Sequence, residues 1–291
     1  MFKGCGTALI TPFKDGKVDY RALENILEFQ VQGKADALIV LGTTGEASTI
    51  SADDKKDIIS FSVEKVNHRI PVIIGTGAND TAAAVANSKK AEALGADGIL
   101  VVTPYYNKCT QKGLVAHYKA ISDQVGIPII AYSVPSRTGV NILPETALRL
   151  AEVKNVCGIK EASGNISQIT DIARLTSGKL SLFSGDDGIT VPVMAAGGVG
   201  VISVASNFLP SFVHEMTAKC LGGDFKEAIK MQYKLNPLVS ALFCEVNPIP
   251  VKKAMALLGF CKNEIRMPLT EMEEETTLKL QKAMRDFGLN V

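Results

Sequence analysis

Eight short apolar runs recur along this chain at intervals of about 20 to 35 residues, and no other feature of the sequence constrains its fold so tightly. They are Thr7–Thr11, Ala37–Leu41, Val72–Gly75, Gly98–Val102, Pro128–Tyr132, Val156–Lys160, Leu180–Ser184 and Val199–Val204. Each is continuously apolar rather than alternating, which is what a strand covered on both faces requires. The segments between them have helical spacing. Asp19 can cap a helix whose buried stripe is Leu23, Ile26, Leu27 and Gln30-Val31, and Gly33 can end it. Ser51 can cap a second that carries Ile58, Ile59 and Val63, and Asn79-Asp80-Thr81 introduces an alanine-rich run ending near Gly95. Strands buried on both faces and alternating with helices predict an α/β protein, a (β/α)8 TIM barrel; an open doubly wound sheet ranks second.

After Asn207 the rhythm changes. Helices are expected around Pro210–Leu221, Asp224–Phe243, Ile249–Leu258 and Glu271–Phe287, punctuated by Pro237, Pro248 and Pro250. The reading therefore divides the chain into a catalytic barrel, 1–207, and a C-terminal helical region, 208–291, packed on the barrel or on a neighbouring subunit. At 291 residues, such a barrel fits as one unit.

Composition excludes several classes. With 46% hydrophobic and 21% charged residues the chain is globular rather than disordered. A net charge of +1 gives no electrostatic reason for a nucleic-acid or acidic-membrane partner. The most apolar stretch, Val191–Pro210, is interrupted by Pro192, Gly197, Gly198, Gly200, Ser203 and Asn207, so it reads as buried helix plus strand and not as a membrane span. The start of the chain has no apolar core of signal-peptide length, and none of the six cysteines has the short spacing of a zinc or redox motif. Reduced cysteines and a cytoplasmic location are expected.

Barrels carry chemistry at the C-terminal ends of their strands. Lys160 closes the sixth run, where desolvation favours a neutral amine able to attack a keto group and form a Schiff base. The bland alternative is a strand-end lysine reaching solvent or pairing with Glu161. Tyr132 ends the fifth run and Tyr106 follows the fourth; with the Thr43 hydroxyl they can relay protons, or they can simply be packing aromatics with wet hydroxyls. Gly42-Thr43-Thr44-Gly45 offers hydroxyls and backbone N–H groups for a small carboxylate, although a tight turn needs glycine anyway. Arg137 is a bidentate donor for a carboxylate or phosphate, or half of a surface ion pair.

Taken together, these residues resemble the dihydrodipicolinate synthase/N-acetylneuraminate lyase family. The resemblance covers nearly the whole chain, including the late segment Asn247-Pro248-Ile249-Pro250-Val251-Lys252. It implies that Lys160 forms an imine with pyruvate and that no metal or organic cofactor is needed, because the imine withdraws the electrons. It implies further that Thr43 and Thr44 bind the pyruvate carboxylate, that Thr43 bridges Tyr132 and Tyr106, and that Gly185 and Ile202 give main-chain contacts near the imine. A homotetramer, a dimer of tight dimers, is implied, with Tyr106 reaching the neighbouring subunit's site. Arg137-Thr138-Gly139 looks like the synthase branch, where the arginine holds the carboxylate of L-aspartate 4-semialdehyde during lysine biosynthesis by the diaminopimelate route.

The chain also departs from the family pattern. Ser133 stands where asparagine is common and Cys109 where proline is. Ala52, Lys55 and Ala83 replace two histidines and a glutamate frequent in lysine-inhibited relatives, while Tyr105 and Asn79 remain, so weak or absent inhibition by L-lysine is expected. Three alternatives stand beside the synthase: a lyase or aldolase for sialic acid or keto sugar acids using the same Lys160, a phosphate-binding barrel built on Gly197-Gly198-Val199-Gly200, and a non-catalytic pyruvate-binding sensor.

Overall fold

In a computed structural model describing residues 1–291, the apolar runs lie side by side as parallel strands and close on themselves. The strands are Gly4–Ala8, Ala37–Val40, Val72–Gly75, Gly98–Val102, Ile129–Ser133, Val156–Glu161, Ser181–Ser184 and Gly200–Ser203. The first pairs with both the second and the eighth, so no sheet edge is left open. This is the (β/α)8 barrel that the rhythm predicts. A small antiparallel hairpin, Phe13–Lys14 with Lys17–Val18, occupies the loop after the first strand.

The first strand begins at Gly4, three residues before its apolar run. The reason is close packing at the foot of the barrel. A Cβ on Gly6 would fall 2.6 Å from the Phe2 ring, and one on Gly200 would fall 2.0 Å from the Gly4 carbonyl oxygen. A strand selected for missing side chains gives little apolar signal.

The helices start where their caps predict. Asp19 accepts from the Ala22 N–H ahead of Tyr20–Gln32, Ser51 from Asp54 ahead of Ala52–Val66, and Asp80 from Ala82 ahead of Thr81–Ala93. Two helices that the spacing does not announce, Pro135–Thr138 and Pro144–Leu150, follow the fifth strand. Each starts on proline and is too short for a 3.6-residue period to stand out. Helix Pro210–Leu221 follows the eighth strand and packs on the first and eighth, so the last βα unit runs past residue 207. Phe225–Leu242, Ile249–Leu257 and Glu274–Phe287 form the extension beyond it. Pro237 does not punctuate: it lies inside Phe225–Leu242, whereas Pro248 and Pro250 stand at the start of the next helix. No helix is long and apolar enough to cross a membrane.

Burial falls into two layers. Sixty-one buried residues fill the space among strands, helices and extension. Eleven others, among them Ile39, Ile73, Leu100, Ile130, Phe183 and Ile202, point into the barrel and fill its lumen. Phe2 closes the foot, its ring stacked 4.5 Å from that of Phe183.

Candidate active site

Strand register brings the central side chains together. In adjacent parallel strands, paired residues face the same way, and Tyr132 pairs with Lys160, which pairs with Phe183. All three point into the lumen. Glu161, one residue on, faces the opposite side, where the Ser163 N–H and Gln168 Nε2 donate to its carboxylate. The pairing of Lys160 with Glu161 is thus ruled out by the pleat. Lys160 is only 6% exposed, with its Nζ 4.4 Å from the centre of the Tyr132 ring. Burial pulls its amine from 10.5 down to about 8; the Asp187 carboxylate opposes that fall and the Arg137 guanidinium adds to it.

A cavity of about 460 Å³ opens above this amine, with Thr43, Thr44, Tyr132, Arg137, Lys160, Gly185 and Asn247 in its wall. Thr43, Tyr132 and Arg137 also bound a second cavity of about 450 Å³, which holds Ala52, Lys55 and Tyr105 and has no acidic residue in its lining. A third, of about 300 Å³ at the foot of the barrel, is lined by Met1, Phe2 and Pro128; its one carboxylate, Asp97, is occupied by the Val72 N–H at 2.8 Å. Only the first cavity combines a desolvated nucleophile with converging donors.

Tyr132 is protonated at neutral pH. Burial pushes its phenol up to about 12, against the Arg137 charge and a hydrogen bond with Thr43. Its hydroxyl therefore carries a proton that it can donate. Asp187, three residues past the seventh strand, is buried, and its carboxylate takes the Ser203 hydroxyl at 2.5 Å and the Val204 N–H at 2.8 Å. Burial raises this carboxyl while those donors hold it down. The sequence reading did not single it out.

The two carboxylate-binding candidates meet at one residue of the extension. Asn247 Nδ2 donates to Thr44 Oγ1 at 3.0 Å, and Arg137 Nη2 donates to the Asn247 carbonyl at 3.1 Å. Arg137 makes no ion pair, so its guanidinium charge remains available at the cavity rim. The Asn247 side-chain oxygen is buried without a protein partner in the cavity wall. Gly185 permits the close approach of Lys160: a Cβ there would fall 2.6 Å from Ala162 Cβ and 3.1 Å from Lys160 Cε.

Two candidates lie elsewhere. Ile202 is buried in the lumen layer, and it is Val204 from the same strand end that reaches the cavity wall. Tyr106 is 91% exposed on the rim loop and faces away from its own cavity, held at φ +71°, a left-handed conformation costly for a tyrosine. Gly198 and Gly200 lie at the entrance to the eighth strand, the opposite end from the cavity, so the phosphate-barrel reading has no site.

A closed parallel barrel with a desolvated amine at its carboxyl-end mouth is the arrangement of a class I aldolase-type lyase. The chain belongs to the dihydrodipicolinate synthetase family, whose model matches residues 1–286. It is 51% identical over 285 residues to the 4-hydroxy-tetrahydrodipicolinate synthase of Alkaliphilus oremlandii, covering 98% of each chain. To that of Clostridium novyi it is 50% identical over 288 residues, 99% of this chain and 97% of the other. The crystal structure of dihydrodipicolinate synthase from Thermotoga maritima superposes with a TM-score of 0.98 at 46% identity, covering 100% of both chains. The chloride-inhibited Acinetobacter baumannii enzyme, solved in complex with pyruvate, superposes with a TM-score of 0.98 at 42% identity over 100% of both.

Proposed function

We propose that this chain condenses pyruvate with L-aspartate 4-semialdehyde, the reaction of 4-hydroxy-tetrahydrodipicolinate synthase, with Lys160 as the covalent nucleophile. The observation that carries this reading is the Lys160 amine, buried in a cavity among hydroxyl, guanidinium and backbone donors and pulled down to about 8. The neutral amine adds to the keto carbon of pyruvate, and the keto oxygen leaves as water, giving an imine. The cationic imine draws electrons from the methyl carbon, which loses a proton to form an enamine. That carbon bonds to the aldehyde carbon of the second substrate, whose oxygen takes up a proton. The amino group of the second substrate then adds to the imine carbon and closes the ring as Lys160 leaves as free amine.

Thr43 and Thr44 hold the pyruvate carboxylate in this scheme, and Arg137 holds that of the aldehyde. Tyr132 delivers and recovers protons through Thr43. Tyr106, strained and turned outward, completes the relay in the site of a second copy, and two such tight dimers form a tetramer. Gly185 and the strand end near Ile202 contribute main-chain contacts to the imine. The enzyme works in the cytoplasm, where pyruvate is drawn into amino-acid biosynthesis.

The test has two arms. Turnover of pyruvate with L-aspartate 4-semialdehyde, coupled to reduction of the cyclic product, is expected to be robust. Borohydride in the presence of pyruvate alone is expected to leave a stable adduct on Lys160. Adduct without turnover moves the assignment to an aldolase for keto sugar acids, and the absence of both turnover and adduct overturns the Schiff-base reading.

A further inference from the structure

Beneath the Thr43–Thr44 turn lies a buried ion pair. Glu46, three residues after Thr43, bonds through Oε1 to Lys252 Nζ, and the two side chains are 2% and 1% exposed. Its other oxygen accepts the Arg266 N–H at 2.9 Å. Glu46 has a left-handed backbone, φ 55°, at the point where the turn bends into a short 3-10 helix. Lys252 Nζ sits 3.9 Å from the centre of the Phe13 ring and the Arg266 guanidinium carbon 4.2 Å from it. One cluster thereby ties the loop after the first strand, the loop after the second and the extension. The partners are 206 residues apart in sequence.

Burying two charges is expensive, and well-packed hydrocarbon would serve stability as well or better. What a buried pair supplies that hydrocarbon does not is direction. It fixes one carboxylate relative to one ammonium, and so fixes the turn that carries Glu46 relative to the helix that carries Lys252. Lys252 belongs to the helix that opens at Ile249, two residues after Asn247, which bonds Thr44 from above. The turn is gripped at Thr44 and again at Glu46 by one segment of the extension.

We propose that Glu46 and Lys252 are positioning residues for the reaction: their buried pair holds the Thr43–Thr44 hydroxyls in the geometry that binds the substrate carboxylate. The proposal rests on the pyruvate-imine reading, and the experiment separates the two. Pyruvate affinity is measured by borohydride trapping and by steady-state KM in the wild type, Lys252→Met, Lys252→Arg and the double variant Glu46→Gln/Lys252→Met, with thermal unfolding followed in parallel. Lys252→Met is expected to raise the KM for pyruvate about tenfold or more, with a smaller change in kcat at saturation, because uniform carboxylate binding is lost. Lys252→Arg should recover most of that affinity. The double variant, with no charge left unpaired, should recover Tm while its KM stays high. A double variant in which Tm and KM recover together makes the pair merely structural and overturns the proposal, as does native pyruvate affinity in Lys252→Met. If the wild type itself traps no pyruvate, the underlying reading has failed instead.

Discussion

Replacing Lys160 by methionine should abolish turnover and make the protein more stable. An amine that titrates at 10.5 when unfolded and at about 8 when folded carries a folding cost near neutrality of about 3 kcal/mol, at roughly 1.4 kcal/mol per pH unit. Methionine matches the length of the stem and leaves no charge to desolvate, so the net gain is about 3 kcal/mol, or roughly 6–12 °C in Tm for a chain of this size. The sign with pH follows from the direction of the shift. Below about 8 the amine is protonated in both states and the full cost applies; between about 8 and 10.5 the folded state has released its proton and the cost fades. Wild type should therefore gain on the variant as pH rises through that window. Urea or thermal unfolding of both proteins at equal concentration, at about pH 7 and again near pH 9.5, measures the difference. A variant less stable than wild type at neutral pH, or an advantage that ignores pH, would refute the desolvated-amine argument even if activity were lost.

Other consequences can be checked more simply. The rate of imine formation with pyruvate, followed by quenched borohydride trapping, should rise with pH and level off near 8, the range to which burial brings Lys160; an inflection near 10.5 would mean an ordinary amine. Arg137→Ala should raise the KM for the aldehyde by about one to two orders of magnitude, the loss of a hydrogen bond to a charged group, while pyruvate trapping stays close to native. Gly185→Ala should cost about a hundredfold in kcat, because its new methyl group would press on Lys160 Cε and Ala162 Cβ; native turnover would show that the strand end yields. L-lysine should inhibit weakly or not at all, since the cavity holding Ala52 and Lys55 has no carboxylate in its lining; half-inhibition at low millimolar concentrations would contradict this.

The parts of this molecule legible in its sequence are those set by local rules. A strand buried on both faces has to be apolar throughout, so seven of the barrel strands stood within a residue of their runs, and the helix caps lay at Asp19, Ser51 and Asp80. Lys160 was visible as a lysine closing an apolar run, but solvent or Glu161 stayed open as its partner until the strand register put it in the lumen with Tyr132 and Phe183. The first strand was misplaced because Gly4 and Gly6 are chosen for what they lack. Pro237 was expected to punctuate the helical region, yet the helix Phe225–Leu242 carries it through. Asn247 and Lys252 entered the reading only as members of the resembling late segment, and Glu46 was not singled out. Their meaning arises only when residues 44 and 247, or 46 and 252, are brought together, and no period or spacing announces a contact across some 200 residues.

That division bears on what the extension is for. Barrel strands alone place Tyr132 and Lys160, because register fixes both to the same layer. They do not fix Thr44, on the turn after the second strand, or Arg137, on the short helix after the fifth, neither of which has a sheet partner to aim it. Asn247 bonds to both, through its side chain to Thr44 and through its backbone carbonyl to Arg137. The buried amine thus belongs to the barrel, while Thr44 and Arg137 are held by the helical extension. A change in the extension should therefore disturb substrate affinity before it disturbs the amine.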